Sequence, residues 1–163
     1  LRAIPLSGDT HGTVHCSVGA RIGNHLETAR PSWRVVAMPN IQPRLRAKWN
    51  LRIADLGVTH APDRAGAIML PEAVLLIEVL SPSNVQDTWS NIALYASVPS
   101  VQEILVVHST VVKCELLRRS PDLSWPDNPE VVAGLASSVR LISIDLSLPL
   151  AQVYRNTHLA ALG

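Results

Sequence analysis

"LLIEVLSPSN", residues 75–84, follows "AV" to complete an aliphatic run from Ala73 that is interrupted by Glu78 and stopped by a Ser-Pro-Ser-Asn turn. The run is too short for a helix and lacks the alternation of a half-exposed strand, so Ala73 to Leu80 reads as a central strand covered on both faces. An ionised carboxylate in such a place is costly unless a cation, a set of hydrogen bonds or a metal compensates it. Ser81, Ser83 and Asn84 offer capping oxygens to a helix from Val85 to Ser97, with Trp89, Ile92, Ala93 and Ala96 as its core stripe.

Upstream, Val14, Val18, Ile22 and Leu26 recur every fourth residue and predict an amphipathic helix over Asp9 to Thr28, capped by Asp9 or Thr10 and left at Pro31. Trp33 to Met38 is β-branched and bounded by prolines, as a strand should be. "LRIADLGVTH", 51–60, alternates, which puts Asp55 on a face with Leu51, Ile53 and Gly57. Residues 61–71 form a loop. Downstream, Val101 to Ser109 predicts a second core strand, and "TVVKCELLRR" after it predicts a hairpin partner. An irregular loop over 120–129 follows, then a strand over Val139 to Leu148 and a helix over Leu150 to Leu162. The order predicts one α/β (α+β) domain over 1–163, a mixed central sheet flanked by helices.

Composition bounds the function. A chain of 163 residues with 47% hydrophobic and 17% charged residues buries a real core, and with no Phe its packing falls to aliphatic side chains. No leader or membrane-length apolar run is read, so a cytoplasmic protein is expected, and Leu1 in place of Met suggests a missing upstream element. Cys16 and Cys114 are far apart and read as buried thiols. A net charge of +1 gives no global attraction to nucleic acid; the local cluster Arg44, Arg46, Lys48 and Arg52 reads as a solvated strand face.

Asp55 and Glu78 each lie near the end of a predicted core strand, and the loop between them lets those strands be neighbours. Two acids brought together must share a proton or a cation, and a hard ion such as Mg²⁺ suits them. Spacing alone favours the plainer arrangement, two rim carboxylates capping loops. In nucleases of the PD-(D/E)XK type a lysine two residues after the second acid shares its face; here that place is Leu80. His11 and His15 have a zinc-compatible i, i+4 spacing without a third ligand, and a surface or helix-start role is expected of them. His108 and Ser109 lack a GxSxG elbow, and no phosphate-binding glycine loop occurs. Ser81, Ser83 and Asn84, at a helix start, could receive a phosphate, although capping explains them as well.

"IADLGVT", "LLIEVLSPSN", "DTWSNIALYA" and "VQEILVVHS", in this order and spacing, resemble the Uma-two family of predicted bacterial restriction endonucleases. The resemblance runs from about Ile4 to Thr157, and "EVLSPS" is its most specific part. It implies a restriction-endonuclease-like fold, a homodimer, and Asp55 and Glu78 as metal-binding acids, with His11 matching a histidine at the start of the family's first helix. Many members carry their lysine on the following helix, in a pattern that reads Asp87, Asn91 and Tyr95 here. Asn91 can bond a phosphate or water but carries no charge.

The expectation is therefore an endonuclease dependent on Mg²⁺ (or Mn²⁺) and acting on DNA, with Asp55, Glu78 and the Val79 carbonyl around the metal. Asn91, with Lys48 or Arg52, would orient the phosphate. The alternative is a degenerate relative that binds DNA or oligomerises without turnover. Of the two lysines in the chain, Lys48 could fold toward the acids, and Lys113 is expected to face elsewhere.

Overall fold

The structure, a computed structural model, describes residues 8–44 and 50–162. Lys48 and Arg46 lie outside the described residues. The chain forms α1 (Asp9–Ala29), β1 (Arg34–Ala37), β2 (Asn40–Ile41), β3 (Arg52–Ile53), β4 (Leu56–Thr59), β5 (Ala73–Leu80) and α2 (Val85–Tyr95). It continues through β6 (Glu103–His108), β7 (Lys113–Arg118), β8 (Glu130–Ala133), β9 (Ser138–Leu141), β10 (Leu146–Pro149), α3 (Leu150–Val153) and a closing 3-10 turn at His158–Leu162.

Six strands make the central sheet in the order β1-β4-β5-β6-β7-β8. β5 and β6 are its parallel pair, and α2 is the crossover between them; the neighbouring pairs are antiparallel. The mixed sheet flanked by helices that the sequence predicts is what forms. Every residue of β5 is buried, as a strand covered on both faces requires.

Alternation along β5 divides the core. Leu75, Ile77 and Val79 pack with Val14, Val18, Ile22 and Leu26 of α1, whereas Leu76 and Leu80 pack with Ile92 and Tyr95 of α2. Glu78, two residues from each of that second pair, projects toward α2. Gly57 in β4 admits the loop after it, because a Cβ there would stand 2.6 Å from Leu70 Cδ2.

Several local expectations change. The predicted strand over 51–60 is broken at Ala54 and Asp55: β3 pairs with β2 in a small separate sheet, and only β4 joins the central one. Leu51 and Ile53 are consequently exposed, 41% and 53%, and share no core face with Asp55. α1 starts after Gly8, with Asp9 already helical and no side-chain cap. α2 ends at Tyr95, and its buried face is Thr88, Ile92 and Tyr95 with Trp89 against it, while Ala93 is exposed.

The single strand expected over 139–148 is the hairpin of β9 and β10. The final helix is interrupted between α3 and the 3-10 turn, where Asn156 takes φ 71°. β8, whose residues are mostly exposed, was not foreseen. Cys16 is exposed, contrary to expectation, and Cys114 is buried. No helix among the described residues is long and apolar enough to cross a membrane.

Candidate active site

The break before β4 creates the site. The β4–β5 ladder ends where Leu56 faces Ile77, so Val79, two residues further along β5, has no strand partner on that side. Buried backbone groups need partners, and side chains supply them. The Val79 N–H donates to Asp55 Oδ2 at 2.6 Å, and the Val79 carbonyl accepts from His11 Nε2 at 3.1 Å and Asn84 Nδ2 at 3.3 Å. The carbonyl of Asp55 in turn accepts from the Met38 N–H and from His15 Nε2, each at 2.9 Å. His11 Nε2 also stands 3.9 Å from Asp55 Oδ2.

Glu78 approaches from the α2 side and is only 5% exposed. The hydroxyl of Tyr95 donates to its Oε1 at 2.7 Å, and its carboxyl is within hydrogen-bonding reach of Asp55. Burial pushes the Glu78 carboxyl up to about 8; the Tyr95 bond opposes this, and the negative charge of Asp55 adds to it. The Tyr95 phenol is driven well above its ordinary value by burial and by Glu78. Burial thus favours the protonated form of the acid at the end of the core strand, and among the described residues no arginine is bonded to it.

Such a pair can share a proton or a cation. Two carboxyl groups are hard donors of the kind Mg²⁺ or Mn²⁺ takes, so the pair fits such an ion. Among the described residues no group of three or more His, Cys, Asp and Glu is placed to hold a metal ion, so the two acids would be its protein side chains. Further ligands would be water or substrate oxygen. The Val79 carbonyl lies beside the acids, and its lone pairs are engaged by His11 and Asn84.

Leu80 occupies the lysine place of the PD-(D/E)XK pattern and is 6% exposed in the α2 core. Asn91 is half-buried one turn before Tyr95 on the same side of α2, its amide without a hydrogen-bond partner among the described residues. Asp87, a turn earlier, is exposed. Arg52 lies near enough for its charge to act on Tyr95, and its guanidinium otherwise donates to the Leu51 carbonyl at 3.1 Å. Lys113 pairs with Glu115 at 2.8 Å on β7, beside His108, two strands from Glu78 across the sheet.

The Ser-Pro-Ser-Asn turn does not cap α2. Asn84 Oδ1 accepts from the Ser81 N–H at 2.7 Å and the Ser81 hydroxyl at 3.1 Å, and Ser81 and Ser83 share a bond of 3.0 Å. The turn spends its polar atoms on itself and on the Val79 carbonyl. The role expected for His15, surface or helix start, is also corrected: it is half-buried and, like His11, donates to a backbone carbonyl at the open end of the β4–β5 ladder. Their i, i+4 spacing was the only signal, and it points to a shared face without saying that the partners are backbone carbonyls.

No protein-family model matches the chain. Over 110 residues it is 34% identical to the uncharacterized protein slr1290 of Synechocystis sp., a match that covers 65% of this chain and 55% of that protein. The chain thus spans about half the length of that relative. Among solved structures it is similar to one from Anabaena variabilis described as "a putative nuclease belonging to DUF820", with a TM-score of 0.72 and 16% identity over 92% of this chain and 83% of that one. At that identity the likeness establishes a shared fold: the mixed sheet flanked by helices.

Proposed function

We propose that this chain is a nuclease of the PD-(D/E)XK type that hydrolyses phosphodiester bonds in DNA and takes Mg²⁺ or Mn²⁺ as its cofactor. The observation that carries the reading is the convergence of Asp55 and Glu78 at the open end of the β4–β5 ladder, with Glu78 raised to about 8 in part by Asp55. The fold shared with the Anabaena protein supports it.

A divalent cation held by the two acids would polarise the phosphodiester and ready a water to attack phosphorus. The protein's own residues do the rest. Tyr95 fixes one oxygen of Glu78 and the Val79 amide fixes one of Asp55, and the two carboxyl groups so oriented would hold the cation. Asn91 offers an uncharged donor to a phosphate oxygen where relatives in the resembling family carry lysine. Arg52 is a cation whose charge reaches Tyr95, and its guanidinium can hold a phosphate but not cycle as a base.

The test is cleavage of plasmid DNA with Mg²⁺ or Mn²⁺ by the wild-type chain and by Glu78→Ala. Metal-dependent nicking that falls at least about 100-fold in the variant supports the reading. Equal cleavage by both rejects it, as does salt-sensitive DNA binding without products over long incubation.

A further inference from the structure

We propose that His15 is a positioning residue that holds Asp55 in place through its backbone, making the first turns of α1 a structural part of the candidate active site. This rests on the metal-dependent reading above for its catalytic meaning, but its geometry stands independently.

Asp55 lies in the two-residue gap between β3 and β4, where no ladder fixes the backbone. Its carboxylate is nevertheless aimed at one atom, the Val79 N–H at 2.6 Å. Two donors meet on its carbonyl oxygen: the Met38 N–H, which comes from the turn after β1, and His15 Nε2, each at 2.9 Å. A carbonyl can only accept, so the His15 proton resides on Nε2. The helix carrying His15 is anchored on the core by Val14 and Val18, both fully buried, so the imidazole projects from a rigid support.

One turn earlier, His11 performs the same service for the other strand by donating to the Val79 carbonyl. The two histidines therefore clasp both sides of the Asp55–Val79 contact. His15 touches neither the carboxylates nor a substrate; it acts on Asp55 alone, through the main chain. Groups of this kind, one step removed from the ligands, typically change metal affinity about 10–100-fold when lost.

The experiment compares His15→Ala and His15→Gln with the wild-type chain by amide hydrogen exchange, reading Val79 against Leu105 in the buried strand β6, and by Mn²⁺ binding in the absence of DNA. The expected result for His15→Ala is exchange at Val79 faster by at least about tenfold with Leu105 unchanged, and Mn²⁺ affinity weaker by about tenfold. His15→Gln, which keeps a donor of similar reach, recovers most of both.

Should His15→Ala fail to fold, His15→Asn, whose amide is shorter, takes its place in the comparison. Unchanged Val79 exchange in the variant overturns the proposal, and so does acceleration shared equally by Val79 and Leu105, which a general structural role would produce. A wild-type chain that binds no Mn²⁺ defeats the metal-dependent reading, while the Val79 comparison still decides whether His15 positions Asp55.

Discussion

Two glutamates sit in the two central strands of the sheet, and they are compensated in opposite ways. Glu103, at the start of β6, is 1% exposed and accepts from Arg118 Nε at 2.8 Å, the Ile142 N–H at 3.1 Å, the Ser143 N–H at 2.8 Å and the Ser143 hydroxyl at 2.6 Å. Glu78, near the end of β5, has one donor among the described residues, Tyr95, and a second acid for a neighbour. The first carboxylate is saturated and ties the β9–β10 turn to the sheet. The second is held by burial, one phenol and the charge of a neighbouring acid. Burial alone does not distinguish the two acids; the groups that face each carboxyl do.

Removing each acid should separate these roles. Glu103→Ala leaves the Arg118 Nε–H, two backbone amides and a hydroxyl without their acceptor, and each buried donor left unsatisfied costs about 1–3 kcal/mol. Urea unfolding of Glu103→Ala should therefore show the largest loss of any single change considered. Glu78→Ala should lose much less, because the carboxyl it removes is itself strained by burial. Equal losses would erase the distinction between a structural and a functional acid.

The contrast also has a pH signature. Glu78 moves from an ordinary value of 4.5 to about 8 in the folded chain, so between those values the folded state holds a proton that the unfolded state has released. Stability from this group is then fully present below about 4.5 and declines as pH rises through about 8. Glu78→Gln, which is neutral throughout, should remove that decline. The difference between the two unfolding free energies should grow by a few kcal/mol across the window and level off above it. Saturating Mn²⁺ should flatten the wild-type curve in the same direction, because a cation replaces the proton. Parallel curves for the two proteins would show that Glu78 is not held protonated by its site.

How much of this can be read from residues alone follows from the same pair. β5 is legible because nothing but aliphatic side chains surrounds Glu78, whereas the loop joining the two strands only permits Asp55 to meet Glu78, and spacing alone favours two rim carboxylates. Glu103 follows the polar Gln102 and opens its strand, and its donors lie 15 to 40 positions away, at Arg118 and in the β9–β10 turn, where no spacing rule announces them. The break at Ala54 and Asp55 is hidden for a related reason. Alternation reports which way side chains would point in a strand, not whether a partner strand is there to pair with it. His15 was visible as a residue sharing a face with His11, yet its partner is a carbonyl oxygen that every residue possesses.

The smallest expected effect, and the finest test of the comparison, is Tyr95→Phe. The change removes one hydroxyl from a fully buried ring and keeps the packing against Leu76, Leu80 and Ile92. Because the phenol donates to Glu78, it favours the ionised carboxyl, and its loss should raise Glu78 further. Below about pH 8 the carboxyl is protonated and loses only an ordinary hydrogen bond, so unfolding should shift by about 1 kcal/mol. Above that pH the same change strands a charge with no donor and should cost more. The penalty of Tyr95→Phe should therefore grow with rising pH in the wild-type background and stay constant in Glu78→Gln, a double-mutant cycle that reads the coupling directly. A penalty independent of pH in both backgrounds would mean that Tyr95 packs beside Glu78 without governing its charge.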